Sequence, residues 1–260
     1  MLKEDKETMQ IGAQLYTIRN YTQNEKDFGR AMEKVANIGY KTVQLSAIGP
    51  IDPKKVKSIC DQNGLKIVLT HSDVEKDLDK TLETHAIYDC KYIGIGGMPE
   101  KYRNEGWLPY FAEDFGPIAE KMKQNGFKLM YHNHAFEFIH FSDGRPLMDH
   151  LLEIMPADLM GVTADTYWLQ LGGNDVNEWL KAHADRLHCV HLKDLQPTPD
   201  HKEYRMAALG TGNINFPAIL DTISKNGVTE YALVEQDLCY GEFQLDCLKK
   251  SFEHLKKLGY

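Results

Sequence analysis

The stretch DQNGLKIVLT, residues 61–70, joins the end of a helical run to an apolar segment through Asn63 and Gly64. A glycine just after a helix adopts the left-handed conformation without a Cβ penalty, so it ends the helix and frees the next residues to form a strand. The same plan recurs in ANIGYKTVQL (36–45), KQNGFKLMYH (123–132) and SKNGVTEYALV (224–234). In the first of these Ile38 separates the Asn from the Gly, a small departure. This repetition indicates a chain that alternates helices with strands.

Eight segments have the composition of buried strands, and amphipathic helical stretches separate most of them. Strands that alternate with helices favour a parallel sheet, and eight such units in 260 residues favour an α/β fold of the closed (β/α)8 type, a TIM barrel. The predicted strands are roughly Gln10–Ile18, Lys41–Ser46, Lys66–His71, Tyr92–Gly96, Lys128–Asn133, Gly161–Tyr167, His188–Lys193 and Tyr231–Gln236.

The rival fold is an open doubly wound sheet, which would carry a glycine-rich phosphate turn after its first strand. Here the first strand runs into QLYTIRNYT (14–22), which has no such turn, and GIGGMP (94–99) lacks the full fingerprint. No linker divides the sequence, and QPTPDHKEYR (196–205) is expected to be a short loop. We therefore expect a single domain over residues 1–260.

Composition and charge limit the classes of partner. The formal net charge is −8 and no cluster of Lys and Arg is interleaved with aromatic residues, so we expect no nucleic-acid partner. The first residues, MLKEDKETMQ, lack the apolar core of a signal peptide, and no run of about 18 apolar residues could span a membrane. Five cysteines without a Cys-x-x-Cys pair favour reduced thiols. We expect a cytoplasmic protein without membrane contact, and its oligomeric state stays open, a homo-oligomer included.

Acidic and histidine side chains follow the later strands at the points where these strands end. In a barrel of this type the carboxyl ends of the strands carry the chemistry, and a carboxylate buried there is costly unless it is paired or bound to a cation. Mixed carboxylate and imidazole ligands suit one divalent ion, Mn²⁺, Co²⁺, Zn²⁺ or Mg²⁺. For each residue taken alone, the alternative is a helix cap or a surface salt bridge. The residues concerned are Glu137, Asp165, His191 and Glu235.

Five segments carry a resemblance to a known family: NHAFEF (133–138), ADTYW (164–168), VHLKD (190–194), LGTGNI (209–214) and VEQD (234–237). Over nearly its whole length the chain resembles the sugar phosphate isomerase/epimerase family of the xylose-isomerase-like TIM barrel superfamily. In the ketose epimerases of that superfamily, Glu, Asp, His and Glu on strands five to eight bind one divalent metal. The resemblance implies that role for Glu137, Asp165, His191 and Glu235. Because side chains alternate along a strand, Glu137 is out of phase with His132 unless it lies past the strand end, so His132 is the alternative ligand.

Two positions depart from the ketose epimerases. Trp168 stands where they have a substrate-binding histidine, three residues after the metal aspartate, and Lys193 and Asp194 follow His191 where they have an arginine. A ketose 3-epimerase in the narrow sense is therefore not expected, although a sugar ring could stack on Trp168. The apurinic endonucleases of the superfamily need more metal ligands and a DNA-binding face, and the acidic balance of this chain argues against them.

Glu137 and Glu235 are the expected catalytic acid and base, approaching the substrate from opposite faces. Removal of the proton beside a metal-bound carbonyl leads to an enediolate. Return of that proton to the other face gives epimerisation, return to the neighbouring carbon gives isomerisation, and loss of a β-leaving group makes the enzyme a lyase. The resemblance implies first an isomerase or epimerase of a sugar, keto-sugar or cyclitol. The alternatives are a dehydratase or other lyase acting on a keto-sugar or inosose, and a carbohydrate-binding barrel without turnover.

Other polar side chains near the predicted rim are expected to bind substrate hydroxyls. For each histidine among them the alternative is a hydrogen-bonded place in the core, and for Lys193 it is an ion pair with Asp194, the simpler expectation. The amides of LGTGNI could lie near the substrate or only turn the chain into Asn215. The expected substrate-binding residues are His71, His132, His134, Trp168 and Lys193.

Overall fold

The computed structural model describes residues 9–260, in which strands and helices alternate. The strands are β1 (Gln10–Gln14), β2 (Thr42–Leu45), β3 (Lys66–His71), β4 (Tyr92–Ile95), β5 (Lys128–His132), β6 (Met160–Asp165), β7 (Cys189–Leu192), β8 (Asp194–Pro197), β9 (Tyr204–Ala207) and β10 (Tyr231–Val234). The helices are α1 (Glu25–Ile38), α2 (Pro53–Gln62), α3 (Leu78–Tyr88), α4 (Leu108–Gln124), α5 (Leu147–Ile154), α6 (Thr166–Leu171), α7 (Val176–Ala182), α8 (Phe216–Lys225) and α9 (Gln244–Lys257).

Eight of these strands form a closed parallel barrel. Their order around the ring is β1-β10-β7-β6-β5-β4-β3-β2, and β1 closes it because β1 hydrogen-bonds to both β2 and β10. The other two strands, β8 and β9, form an antiparallel hairpin outside the ring, inserted between β7 and α8. The predicted (β/α)8 barrel is therefore confirmed.

The ends of the helices follow the cap and glycine signals of the sequence. The Asp52 side chain accepts a hydrogen bond from the backbone N–H of Lys54 at the start of α2, and Pro53 occupies the first helical position. After α1 and α2, Gly39 and Gly64 have φ values of 125° and 65°. A residue with a Cβ would be strained at such angles, so these glycines let the chain leave each helix and enter the next strand at once.

Side chains on the barrel strands alternate between two apolar layers. Outward residues pack in the layer between the strands and the helices, for example Val43, Ile93, Tyr131, Val190 and Val234. Inward residues form a separate small core that includes Leu69, Tyr92, Met130, Cys189 and Leu233. Toward the carboxyl ends the inward positions become polar, at Gln14, Gln44, His71, His132, Asp165, His191 and Glu235.

Strand β4 differs from its neighbours because glycines occupy its inward positions near the carboxyl end. A Cβ placed on Gly94 or Gly96 would lie 3.1 or 3.2 Å from the ring of His71, and a Cβ placed on Gly97 would lie 3.0 Å from the ring of His134. This glycine-rich segment, which lacks a phosphate-binding fingerprint, therefore makes room for two histidine rings.

The structure differs from the sequence-based expectations in two places. The first strand ends at Gln14, and Leu15–Tyr21 form a 3-10 turn. The predicted loop 196–205 contains most of the β8–β9 hairpin, whose turn is closed by the Thr198 hydroxyl: it donates to the Asp200 carboxylate and accepts from the backbone N–H of Glu203. Local hydrogen bonds of this kind close a turn, and the prolines of the segment favour the prediction of an irregular loop instead of a hairpin.

The expectation that the first ten residues carry no signal peptide concerns mainly residues 1–8, which lie outside the described residues. Within residues 9–260, no helix combines the length and the apolar character needed to cross a membrane.

Candidate metal centre

Four buried side chains at the carboxyl end of the barrel bring their donor atoms together. His132 ends β5, Asp165 ends β6, His191 lies in β7 and Glu235 directly follows β10. One donor atom of each lies within 4.8 Å of the others. The four strands are consecutive in the ring, so inward side chains at matching heights meet. Three of the four ligands expected from the sequence are among them, and the fourth place belongs to His132.

Asp165 divides its two oxygens between the backbone and the group. Oδ1 caps α6, accepting hydrogen bonds from the backbone N–H groups of Tyr167 (2.9 Å) and Trp168 (3.1 Å). Oδ2 faces the group, 3.3 Å from His132 Nε2 and 3.8 Å from His191 Nδ1. The helix therefore fixes the orientation of the carboxylate and leaves one oxygen for a ligand.

His132 and His191 are each oriented by a bond at the ring nitrogen that points away from the group. His132 Nδ1 lies 3.2 Å from the Gly96 carbonyl oxygen, and His191 Nε2 lies 2.6 Å from Gln44 Oε1. Both oxygens can only accept, so these ring nitrogens donate. The nitrogens left to face the group are His132 Nε2 and His191 Nδ1, as in imidazoles that bind metals.

Carboxylates control the protonation of His191. Its Nδ1 lies 3.0 Å from Glu235 Oε2. Burial alone would lower the pKa of His191, but the charges of Glu235 and Asp165 outweigh burial and raise this pKa to about 8. In the metal-free protein the ring therefore carries a proton at neutral pH, at the position where a cation would bind.

The ammonium group of Lys193 lies beside the same oxygens, although the side chain is fully buried. Its Nζ is 3.0 Å from Asp165 Oδ2, 2.9 Å from Glu235 Oε2 and 3.0 Å from Asp237 Oδ1. The expected ion pair with Asp194 is not formed, because inward and outward positions alternate and adjacent residues at the end of β7 diverge. Lys193 instead contacts three carboxylates.

The charges of this region fit a divalent cation. Burial alone would raise the pKa values of Asp165 and Glu235, but the Lys193 ammonium holds both pKa values well below their ordinary range. Burial and the Glu235 charge raise the pKa of Asp237 to about 6, so three carboxylates are ionised at neutral pH. The Lys193 ammonium contacts all three, and the proton on His191 adds a second positive charge, so among these described side chains the carboxylates exceed the cations by one. A cation that displaces the His191 proton would meet two negative charges. Buried charge of that size requires a partner.

The donor atoms fit such a cation as well. His191 Nδ1 and Glu235 Oε2 are buried and 3.0 Å apart, yet they share no hydrogen bond of acceptable geometry, and the close contact of Oε2 is the ion pair with Lys193. Two atoms that approach closely without sharing a hydrogen bond are what ligands of one ion would look like. Two imidazole nitrogens with two carboxylate oxygens suit Mn²⁺, Co²⁺ or Zn²⁺ better than Mg²⁺, which prefers oxygen.

Glu137, expected to be a metal ligand and a catalytic residue, is placed elsewhere. After β5 the chain enters a short 3-10 turn, Phe136–Phe138, that folds back to the helix-facing side of the strand. There Glu137 Oε1 accepts from the Tyr131 hydroxyl at 2.7 Å and Oε2 accepts from the His134 backbone N–H at 2.8 Å. Tyr131 points outward and His132 inward, so Glu137 does not join the group of four. Burial raises the pKa of Glu137.

Three residues expected to bind substrate lie around the group. The His71 ring is 5.3 Å from that of His132, the His134 ring is 4.8 Å from that of His132, and the Trp168 ring is 5.3 Å from that of His134. Each has a buried ring nitrogen without a partner: His71 Nε2, His134 Nδ1 and Trp168 Nε1. Burial lowers the pKa of His71 well below its usual value and that of His134 to about 3, so both rings are neutral.

Another buried carboxylate, that of Asp194, organises the segment LGTGNI, residues 209–214. We call Asp194 together with this segment the Asp194 loop. The carboxylate oxygens of Asp194 accept hydrogen bonds from the backbone N–H groups of Leu195 (2.8 Å), Gly210 (3.0 Å), Gly212 (2.9 Å) and Ile214 (3.1 Å). Three of the loop amides therefore point at Asp194, not toward a substrate.

Gln44 and Asp237 take part in the site, although no role was predicted for them. Gln44 lies between Val43 and Leu45 at the end of β2, and Asp237 lies two residues after Glu235. The signal that could have found both is alternation: each has the inward phase of its strand at the carboxyl end, where a polar residue needs a partner.

Comparison with known proteins identifies relatives of this chain. A protein named inosose dehydratase from Clostridium perfringens is 26% identical over 187 residues, covering 67% of this chain and 58% of the relative, so this chain spans less than two thirds of that protein. An inosose dehydratase from Geobacillus kaustophilus is 24% identical over 258 residues, covering 84% of this chain and 81% of the relative.

A solved structure and a family match complete the comparison. The crystal structure of a sugar phosphate isomerase/epimerase from Parabacteroides distasonis has a TM-score of 0.79 with 21% identity, covering 98% of this chain and 96% of that one, which shows a common fold. The family described as xylose isomerase-like TIM barrel matches residues 32–258, nearly all of the barrel. This chain belongs to the xylose isomerase-like TIM barrel family.

Proposed function

We propose that this protein is a divalent-metal-dependent lyase of the dehydratase type, which removes water from a cyclitol or sugar that bears a carbonyl group. The observation that carries the proposal is the buried group of His132, Asp165, His191 and Glu235, together with its unmatched negative charge. The names of the relatives support elimination as the reaction, since both curated relatives reported above are inosose dehydratases. Mn²⁺, Co²⁺ or Zn²⁺ is the proposed ion.

A single carboxylate could move the proton in this reaction. The chemistry supplied by a bound divalent cation is polarisation of the substrate carbonyl, which acidifies the neighbouring C–H bond. Glu235 takes that proton, the electron pair of the broken C–H bond forms a double bond to the β-carbon, and the β-hydroxyl departs. The proton that Glu235 has gained leaves with this hydroxyl as water, so the balance needs no second base.

Isomerisation and epimerisation, the reactions predicted first from the sequence, begin with the same removal of the proton beside the carbonyl. Epimerisation also needs an acid on the opposite face of the substrate, and Glu137, expected to serve there, is engaged by Tyr131 on the helix-facing side of β5. Isomerisation, like elimination, can proceed with one carboxylate. We therefore rank elimination first and keep isomerisation of a keto-sugar as the second candidate.

The surroundings of the group suit an uncharged polyhydroxylated ring. His71, His134 and Trp168 each offer a buried ring nitrogen without a partner, and both imidazoles are neutral. Buried donors and acceptors of this kind are costly unless a ligand engages them. We propose that the three side chains hold substrate hydroxyls, that Trp168 stacks on the sugar ring, and that Lys193 contacts the substrate from the Asp237 side.

The test combines metal analysis with a reaction in D₂O. Metal content of the purified protein is measured by elemental analysis, and the metal-loaded protein is then incubated with inosose and followed by NMR and ultraviolet absorbance. Elimination produces a conjugated product that absorbs in the ultraviolet, whereas isomerisation incorporates deuterium without that absorbance. Glu235→Gln should abolish both signals, and Glu253→Gln on the exposed face of α9 is the matched control.

Two results would contradict the proposal. Bound metal with neither deuterium exchange nor product on inososes or ketoses would favour a carbohydrate-binding barrel without turnover. Full exchange in Glu235→Gln would reject Glu235 as the base while leaving the metal centre in place.

A further inference from the structure

The Lys193 ammonium occupies the two oxygens that a cation at the metal centre would need. Nζ is 3.0 Å from Asp165 Oδ2 and 2.9 Å from Glu235 Oε2. These are the oxygens that face the ring nitrogens of His132 and His191. A divalent ion bound by the group of four would therefore share both oxygens with a buried positive charge.

Two cations cannot both stay on these oxygens at low cost. Like charges a few ångströms apart repel strongly where water is excluded, and Lys193, Asp165 and His191 are all fully buried. Either the ion is excluded or the ammonium moves.

Asp237 offers the ammonium a second partner. Its Oδ1 and Oδ2 lie 3.0 and 3.1 Å from Lys193 Nζ, so both oxygens are already within reach. The Asp237 side chain is 20% exposed, on the outer side of the group, and the Trp168 ring lies 5.6 Å from Nζ. A small rotation of the long lysine side chain would exchange three carboxylates for one without leaving the charge unpaired.

We propose that Lys193 is an exchangeable internal counter-ion, which holds Asp165 and Glu235 in the metal-free protein and withdraws onto Asp237 when a divalent cation binds. The inference rests on the proposed metal function. The charges then divide into two neutral sets: the cation with Asp165 and Glu235, and Lys193 with Asp237. In the metal-free state the ammonium keeps the carboxylates from repelling one another, so the barrel folds before it takes up metal.

Under this mechanism, replacing Lys193 and replacing Asp237 should change the metal affinity in opposite directions. Lys193→Met removes the competitor, so the dissociation constant for Co²⁺ should fall by about tenfold or more, the scale of one buried charge interaction. Asp237→Asn removes the place to which the ammonium withdraws, so the dissociation constant should rise by about tenfold for the same reason. In the double variant with both substitutions, Asp237→Asn should no longer weaken metal binding, because there is no lysine ammonium that must withdraw onto Asp237.

The experiment is calorimetric titration of the chelator-treated protein with Co²⁺, together with thermal unfolding before metal is added. Lys193→Met should melt at a lower temperature without metal and gain more from Co²⁺ than the wild type does. Lys249→Met, an exposed lysine of α9, is the matched control and should change neither quantity. If Lys193→Met does not fold, Lys193→Gln provides the same removal of charge with a polar side chain.

Each outcome decides the matter. Tighter Co²⁺ binding in Lys193→Met with weaker binding in Asp237→Asn supports the exchange. Binding that appears only when Lys193 is replaced overturns both the exchange and the metal function, because the ammonium then excludes the ion from the wild-type protein. Co²⁺ binding in the wild type that Lys193→Met leaves equal or weaker overturns the exchange alone, since the metal function stands. Absence of binding in every variant overturns the metal function together with it.

Discussion

Two neighbouring regions at the carboxyl end of the barrel bury carboxylates in opposite ways. In the Asp194 loop, four backbone N–H groups fill the oxygens of one carboxylate. In the candidate metal centre, Asp165 Oδ2 and Glu235 Oε2 face ring nitrogens and a lysine, and the buried His191 Nδ1 has no hydrogen-bond partner. A carboxylate whose oxygens all accept backbone hydrogen bonds fixes the shape of a loop. A group of carboxylates and imidazoles that lacks such bonds has donor atoms available to a ligand.

Replacing a carboxylate of the candidate metal centre by the amide of the same shape should give the largest effect, a loss of turnover. Asp165→Asn removes one charge from the ligand set but keeps an oxygen to cap α6, so the fold should survive. We expect turnover to fall by about 10²–10³-fold or more, since one electrostatic contribution to the transition state is lost. Steady-state kinetics and Co²⁺ titration measure this. Near-normal turnover would mean that the centre is not where reaction occurs.

The matched change in the Asp194 loop should act on stability. Asp194→Asn turns an amide NH₂ toward backbone donors that now meet a carboxylate oxygen, so buried N–H groups lose their partners. We expect the free energy of unfolding to fall by about 3 kcal/mol. Denaturant unfolding followed by circular dichroism measures it. The Co²⁺ affinity of the folded fraction should stay at the wild-type value, and a loss there would mean that the two regions are not independent.

Loss of an orienting partner should weaken metal binding by less. Gln44→Leu removes the oxygen that accepts from His191 Nε2 at 2.6 Å, so the ring is free to turn or to change tautomer. Partners of this kind are worth about 10–100-fold in metal affinity. Calorimetry with Co²⁺ gives the ratio, and Gln62→Leu on exposed α2 serves as the control. Unchanged affinity would show that packing alone orients the ring.

The smallest effect for a single step is that of one pH unit on metal affinity. The carboxylates raise the pKa of His191 to about 8 against the effect of burial, so below that pH a cation must displace a proton from Nδ1. Affinity should therefore fall by about tenfold for each pH unit from 8 to 6 and level off above 8. Titrations in buffers of different ionisation enthalpy would show about one proton released for each ion bound at pH 7. Affinity that does not vary over this range would exclude His191 as a ligand.

Much of the fold could be predicted because its signals are local. Glycines after helices and apolar segments of strand length mark all eight barrel strands, within a few residues at their ends. The β8–β9 hairpin could not be predicted, because its pairing depends on a turn closed by a threonine hydroxyl and not on an apolar pattern.

The residues of the site could be predicted where the alternation of side chains along a strand alone decides which way a side chain points. Asp165, His191 and Glu235 end neighbouring inward rows, and a count of alternation places them there. Glu137 could not be placed in this way, because a 3-10 turn past the strand end sets its direction. Lys193 has the inward phase too, but its choice of three acidic partners over Asp194 depends on distances across the ring.

The closure of the ring has a consequence for biosynthesis. Strand β10 hydrogen-bonds to β7 and to β1, and Glu235 follows it directly. During synthesis the set of donors is therefore incomplete until this strand has been made and has paired with both neighbours. A cation held by the group of four could bind only after that pairing, so metal binding would follow closure of the ring.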